Sequence, residues 1–235
     1  MQYCTFASTI TQALQLTYIK YPMHSAPDVL LLISPNCPHC QSVQQSLGEL
    51  VKQAEIGRLE IINISVHTEI VTTLGVRSVP WMKIGQFELT GSYTATELRD
   101  WIARAASDSG RADYLSELLA QQQLDKALDL ARQEPAMLQA AMELIAAPDT
   151  PMVTRIGVGA IMEDLMDSEA LISLVDQLGE LTHSEEANIR ADASHYLGLS
   201  GSKSALPWLQ AMLQDGHEHV REIARDSLER LENLD

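Results

Sequence analysis

Over the first 107 residues the period of the apolar positions switches repeatedly between that of a helix and that of a strand. Ile10, Leu14, Leu16, Tyr18 and Ile19 fall on one stripe and predict a helix over residues 8–20. Tyr21-Pro22 ends it, and Pro27-Asp28 introduces a short apolar run, 29–33, that reads as a strand. From 38 to 53 the pattern is helical again, with Val43, Leu47, Leu50 and Val51 as its inner face. Residues 59–64 are almost continuously apolar, as in a strand covered on both faces. A short helix over 68–74 stops at Gly75. Two brief strands follow, 81–84 and 87–90, then a Gly91-Ser92 turn. A helix over 94–106, with Leu98, Trp101 and Ile102 turned inward, closes the series.

Ser107-Asp108-Ser109-Gly110 is a polar break, and beyond it no strand pattern remains. Helices are predicted over 112–122, 124–133 and 135–146, the last stopped by Pro148 and Pro151. From there the chain repeats itself. Val153-Thr154-Arg155-Ile156-Gly157-Val158 aligns with Asn188-Ile189-Arg190-Ala191-Asp192-Ala193 and with His219-Val220-Arg221-Glu222-Ile223-Ala224. Met162, Leu197 and Leu228 stand seven residues after the three arginines. Second helices, 169–181 and 205–214, lie between them, the latter with Pro207 in its first turn. The expected organisation is an N-terminal domain over 1–107, a linker over 108–111 and a helical domain over 112–235.

The chain's 235 residues suffice for two domains with their own cores. Its net charge of −16 is divided unevenly. Residues 1–110 carry 7 Lys/Arg against 9 Asp/Glu, and residues 111–235 carry 9 against 23. The second part, at −14, speaks against nucleic acid and anionic membrane surfaces as partners, since both need positive charge at the contact. No apolar run approaches the ~20 residues of a membrane span. Met1-Gln2-Tyr3-Cys4 opens no basic cluster followed by an apolar core, so a cytoplasmic protein is expected. Three cysteines are too few for a disulfide-stapled secreted scaffold.

Candidate chemistry concentrates in Ser34-Pro35-Asn36-Cys37-Pro38-His39-Cys40. A strand that ends in Cys-x-x-Cys and leads into a helix is the arrangement thiol–disulfide exchange requires. Cys37 is expected at the N-cap, where orphan N–H groups and the helix dipole favour a thiolate. Pro38 suits the first helical position, and Cys40 follows one turn in. The competing reading is half a zinc site. It would need four ligands, with only Cys4 and either His24 or His67 to complete them. Cys4 reads as a small buried hydrophobe, and His24 and His67 as surface or capping residues.

The order β-α-β-α-β-β-α, with Cys37-Pro38-His39-Cys40 after the first strand and Val79-Pro80 before the third, resembles the thioredoxin fold over 28–106. The resemblance implies that Val79-Pro80 is the cis-proline that faces the disulfide. The Val79 backbone would then pair with an extended substrate segment, while Pro80 keeps metals off the sulfurs. Gly91-Ser92-Tyr93-Thr94 falls where that family turns into its last helix. Three departures separate the chain from thioredoxins proper. Asn36 replaces Trp, Pro38-His39 replaces Gly-Pro, and Leu31 stands where a buried carboxylate assists the resolving cysteine. Pro-His is the dipeptide of strongly oxidising bacterial disulfide oxidases, which implies that His39 favours the Cys37 thiolate.

Residues 185–232 resemble the HEAT repeat of the short bacterial type; 152–181 do so less closely, and 112–147 in composition only. The resemblance implies a helical solenoid with a concave surface. Arg155, Arg190 and Arg221 are expected to tie helix ends or neighbouring repeats to acidic residues. Met142, Met162, Met166 and Met212 are expected in the core. His183, His195, His217 and His219 form no ligand set.

The fold class expected is thus an α/β thioredoxin fold followed by an all-α HEAT-like solenoid. The function expected is a thiol–disulfide oxidoreductase with no cofactor and no metal. Cys37 and Cys40 would react, and Pro38, His39, Val79 and Pro80 would support them and the substrate. Its partners would be protein disulfides and thiols, with an upstream reductase or glutathione, and the helical domain would recruit partners or form a homodimer. The alternative is a HEAT-type scaffold or chaperone whose cysteine pair senses redox state.

Overall fold

The computed structural model describes residues 26–107 and 110–233. The chain forms two compact units, Met1–Ser109 and Gly110–Asp235. The expected helix over 8–20, Cys4 and His24 lie outside the described residues.

The first unit is built on a four-stranded mixed sheet in the order β2-β1-β3-β4. Its elements are β1 (Asp28–Ile33), α1 (Cys40–Lys52), β2 (Arg58–Asn63), α2 (Glu69–Thr73), β3 (Trp81–Ile84), β4 (Phe87–Thr90) and α3 (Ala95–Ala106). β1 runs parallel to β2 and antiparallel to β3, and β4 returns antiparallel beside β3. Alternation along β1 sends Leu31 and Leu32 to opposite faces, yet both are fully buried because the strand is central and covered twice. On one face Leu32 and Trp81 pack with Val76, Ile70 and Val71 of the α2 region. On the other, Leu31 is in register with Met82, and Phe87 meets Trp101 of α3 edge-to-face at 5.2 Å. Thr94 caps α3: its hydroxyl accepts the Glu97 N–H, and the Thr94 N–H donates to the Glu97 carboxylate at 2.7 Å. The Thr94 N–H and then the Thr94 hydroxyl hold the Glu97 carboxyl below the usual carboxylate range.

Two expectations need correction here. β2 is not covered on both faces: it is an edge strand among the described residues, and Ile61 is 39 % exposed. An uninterrupted apolar run does not distinguish an edge from a central strand. The helix after the cysteines starts later than expected, at Cys40, with His39 rather than Cys37 as N-cap. The Cys37 carbonyl accepts from the Cys40 N–H at 3.4 Å, so a single i→i+3 turn precedes the α-helix.

The second unit is all helical among the described residues: α4 (Arg111–Ala120), α5 (Leu124–Gln133), α6 (Pro135–Ala146), α7 (Met152–Asp164), α8 (Glu169–Ile172), α9 (Val175–Leu181), α10 (Ala187–Leu199), α11 (Leu206–Met212) and α12 (Glu218–Glu232). A 3₁₀ turn, Lys203–Ala205, leads into α11. No described helix is long and apolar enough to cross a membrane. The helix expected over 169–181 is broken into α8 and α9. The Ser173 hydroxyl donates to the Ala170 carbonyl at 2.7 Å, and the Leu174 N–H bonds to Leu171, three residues back.

The repeated arginines do equivalent work. Arg155 donates to Asp192 at 2.6 Å and to the Ala147 carbonyl. Arg190 grips Asp215 with two bonds, 2.7 and 3.0 Å, and donates to the Ser184 and Glu185 carbonyls. Arg221 donates to the Asp215 carbonyl at 2.8 Å. Each arginine thereby ties its own helix to the loop that precedes it. Met142 and Met162 are buried as expected, whereas Met212 is only half-buried and Met166, in the turn after α7, is 43 % exposed.

Candidate functional site

The parallel pairing of β1 with β2 brings both C-terminal ends to one end of the sheet. The antiparallel pairings put the start of β3 and the end of β4 there too. Four loops therefore meet at that end: the cysteine loop, the β2–α2 loop, the segment before β3 and the turn after β4. Backbone bonds fasten them together. The Ile64 N–H donates to the Ile33 carbonyl at 3.0 Å, and the Gly91 N–H donates to the Pro80 carbonyl at 2.9 Å. Gly91 has φ +112, a conformation that favours glycine.

Cys37 and Cys40 are joined in a disulfide, with Cα atoms 5.4 Å apart. Their surroundings differ. Cys40, the first residue of α1, is 4 % exposed, whereas Cys37, in the loop before it, is only partly buried. Pro38 and His39 are exposed between them. The His39 carbonyl accepts the Ser42 hydroxyl at 2.9 Å and the Val43 N–H at 3.4 Å, which anchors the first helical turn. That turn carries no acidic residue, so no carboxylate opposes a negative charge at the helix start.

The Val79–Pro80 peptide bond is cis. It lies against the cysteines: Cys37 Sγ is 3.5 Å from the Val79 carbonyl oxygen. Pro80 is buried and Val79 partly so. Leu31 occupies the strand position of the absent carboxylate and is fully buried, paired with Met82, also fully buried.

The structure thus brings together Cys37, Cys40, Pro38, His39, Val79 and Pro80. One support escaped sequence reasoning. Asn63 orders the β2–α2 loop, its side-chain oxygen accepting the Ser65 N–H at 2.9 Å and its carbonyl accepting the Val66 and His67 N–H groups at 3.1 Å. An Asn at a strand end is a turn signal that could have found it. Gly91, expected from the sequence as a turn, is a further support through its bond to Pro80, the next pair out from Trp81 and Thr90 in the β3–β4 hairpin. His67 faces Glu69 at 3.3 Å. The Glu69 carboxyl lies below its usual range, chiefly through a bond to its own backbone N–H and then through His67. Among the described residues no group of three or more His, Cys, Asp or Glu is placed to hold a metal ion.

Residues 28–103 match a family model described as a thioredoxin domain. No curated protein matches the chain. The matched stretch takes in all four strands, α1, α2, the cysteine pair and the cis-proline. A bonded, unequally exposed cysteine pair in this setting points to thiol–disulfide redox chemistry. Over residues 28–103 the chain is similar to thioredoxin domains, and there it has the thioredoxin fold.

Proposed function

We propose that the protein is a thiol–disulfide oxidoreductase in which Cys37 is the attacking sulfur and Cys40 the resolving one. The observation that carries this reading is the disulfide itself, with Cys37 partly accessible beside Val79 and Cys40 buried behind it. In the reducing direction the Cys37 thiolate attacks one sulfur of a substrate disulfide. The second substrate sulfur leaves as a thiolate and takes up a proton. The Cys40 thiolate then attacks Cys37 Sγ, forms the internal disulfide and releases the first substrate sulfur. Two electrons pass to the substrate, and a dithiol reductase or glutathione restores them. The oxidising direction is the same sequence reversed.

His39 and the N-terminal end of α1 stabilise the Cys37 thiolate. Val79 and Pro80 seat an extended substrate segment. With Leu31 in the carboxylate position, proton transfer at Cys40 falls to water or His39. A more stable thiolate makes the couple more oxidising than one with Gly-Pro between the cysteines. In a cytoplasm held reduced by glutathione, the protein would work as a reductase or isomerase. The second unit is a HEAT-like solenoid, with its start at about residue 112, that recruits protein partners or mediates dimerisation. A Cys40→Ser variant tests the assignment by capturing substrates. It should accumulate mixed disulfides through Cys37, and a variant that captures none speaks against it.

A second reading makes the helical unit the working part and the cysteine pair a redox sensor. Met152, Val153 and Ile156 favour it, being 72 %, 50 % and 67 % exposed on α7, as a partner-binding surface would have them. Under that reading, oxidation shifts partner affinity or oligomeric state while catalytic turnover is absent.

A further inference from the structure

The four segments that meet at the disulfide end of the sheet, residues 34–42, 63–68, 76–80 and 90–94, contain no Asp or Glu, although the chain has 32; Glu69, which follows the second of them, is engaged with His67 at 3.3 Å. They do contain one arginine, Arg77, together with His39 and His67. Elsewhere in this unit cations are matched by acids: Arg58 with Asp28 at 3.0 Å, Arg99 with Glu55 at 3.1 Å and Lys52 with Glu49 at 2.6 Å. Arg77 is exposed and has no such match. Among the described residues, Arg77 and Arg225 are the two cations without a hydrogen-bond, ion-pair or ring partner.

Position gives this free charge its meaning. Arg77 stands two residues before Val79, whose carbonyl is 3.5 Å from Cys37 Sγ. Two residues of chain span at most about 7 Å, so Arg77 stands within an arginine side chain's length of the backbone against which Cys37 Sγ rests. The overall charge of −16 repels acidic molecules at long range. At physiological ionic strength, however, exposed charges more than about 8 Å apart are largely screened. The nearest unpaired charge then decides which substrate is held.

We propose that Arg77 is a specificity-determining residue that selects disulfides and thiols carrying a carboxylate within one or two residues of the reacting sulfur. This rests on the oxidoreductase reading above. The carboxylate can belong to an acidic protein segment or to glutathione, and the chemistry of recognition is shared.

The test is the second-order rate of oxidation of the reduced full-length protein by matched peptide disulfides. These differ only in a Glu, Gln or Lys beside the cysteine, with glutathione disulfide as a fourth oxidant. The native protein should react about two- to fivefold faster with the Glu than with the Lys peptide, the size of one exposed ion pair. High salt should flatten the ratio, Arg77→Gln should abolish it, and Arg77→Glu should invert it. Using the ratio within each variant cancels differences in folding. A glutathione disulfide rate that falls with the Glu-peptide rate in Arg77→Gln extends the selection to small anionic disulfides; a rate that does not restricts it to protein segments. Equal native rates for the three peptides, or an unchanged ratio in Arg77→Gln, overturn the proposal while leaving the oxidoreductase reading intact. Failure to react with any of the four overturns both.

Discussion

Cys37 Sγ and the carbonyl oxygen of Val79 lie 3.5 Å apart, although the two residues are 42 positions apart in the chain. The contact places the partly accessible sulfur against the loop where an extended substrate would lie. Cys40 sits behind it at 4 % exposure. Alkylation of the reduced protein should therefore modify Cys37 well before Cys40, as read by peptide mass mapping. Preferential labelling of Cys40 would reverse the assigned roles.

A redox titration against glutathione tests the contribution of Pro38-His39. The couple should lie above the roughly −270 mV of thioredoxin. Replacing His39 by Leu should move it downward. A native potential as low as thioredoxin's, or no response to His39→Leu, would remove His39 from the thiolate's support.

Two glycines should respond to alanine in opposite senses. A Cβ on Gly198 would lie 2.6 Å from the Ser227 Cβ and 2.9 Å from its Cα, so α10 and α12 would have to separate. Overpacking of this kind costs about 1–3 kcal/mol, more than the roughly 1 kcal/mol gained in helix propensity. At Gly48, in α1, an added methyl would meet nothing within 4 Å, and Gly48→Ala should stabilise by about 0.5–1 kcal/mol. Chemical denaturation of the two variants measures both signs.

The Arg190–Asp215 pair predicts a pH dependence. The Asp215 side chain is 7 % exposed, and the two Arg190 bonds, aided by the His217 N–H, hold its carboxyl below the usual range. The unfolded chain thus binds the proton more tightly than the folded one. The stabilisation is complete above the unfolded value of about 3.9 and is lost as pH falls through the lower folded value. Asp215→Asn should cost about 1.5–3 kcal/mol at neutral pH and flatten the loss of stability as pH falls below the ordinary carboxylate range. An unchanged acid limb would show that other groups control it.

Much of the first unit was legible because its signals are local. β3 and β4 follow from short apolar runs around a turn, and Leu98, Trp101 and Ile102 from a helical stripe; all three side chains are buried. The cysteine pair and Val79-Pro80 could be placed because strand order alone carries them to one end of the sheet. What local pattern cannot express is how far neighbouring elements cover the faces of a strand, hence the exposure of Ile61 in β2. Nor does it reveal a serine hydroxyl competing for a helical carbonyl, which divides α8 from α9. Met166 shows the same limit, since an apolar residue in a turn carries no periodicity to tell core from surface. The repeated arginines were legible as a period, but the aspartate partners of Arg155 and Arg190, 37 and 25 positions away, were not.

The central claim is that Cys37 exchanges disulfides, and the most direct measurement is the rate at which the reduced protein reduces a peptide disulfide, native against Cys37→Ser. The native protein should react and end with Cys37 bonded to Cys40, while Cys37→Ser should be inactive because Cys40 alone of the pair remains and is buried. A Cys37→Ser protein that reduces the peptide at the native rate would contradict the account.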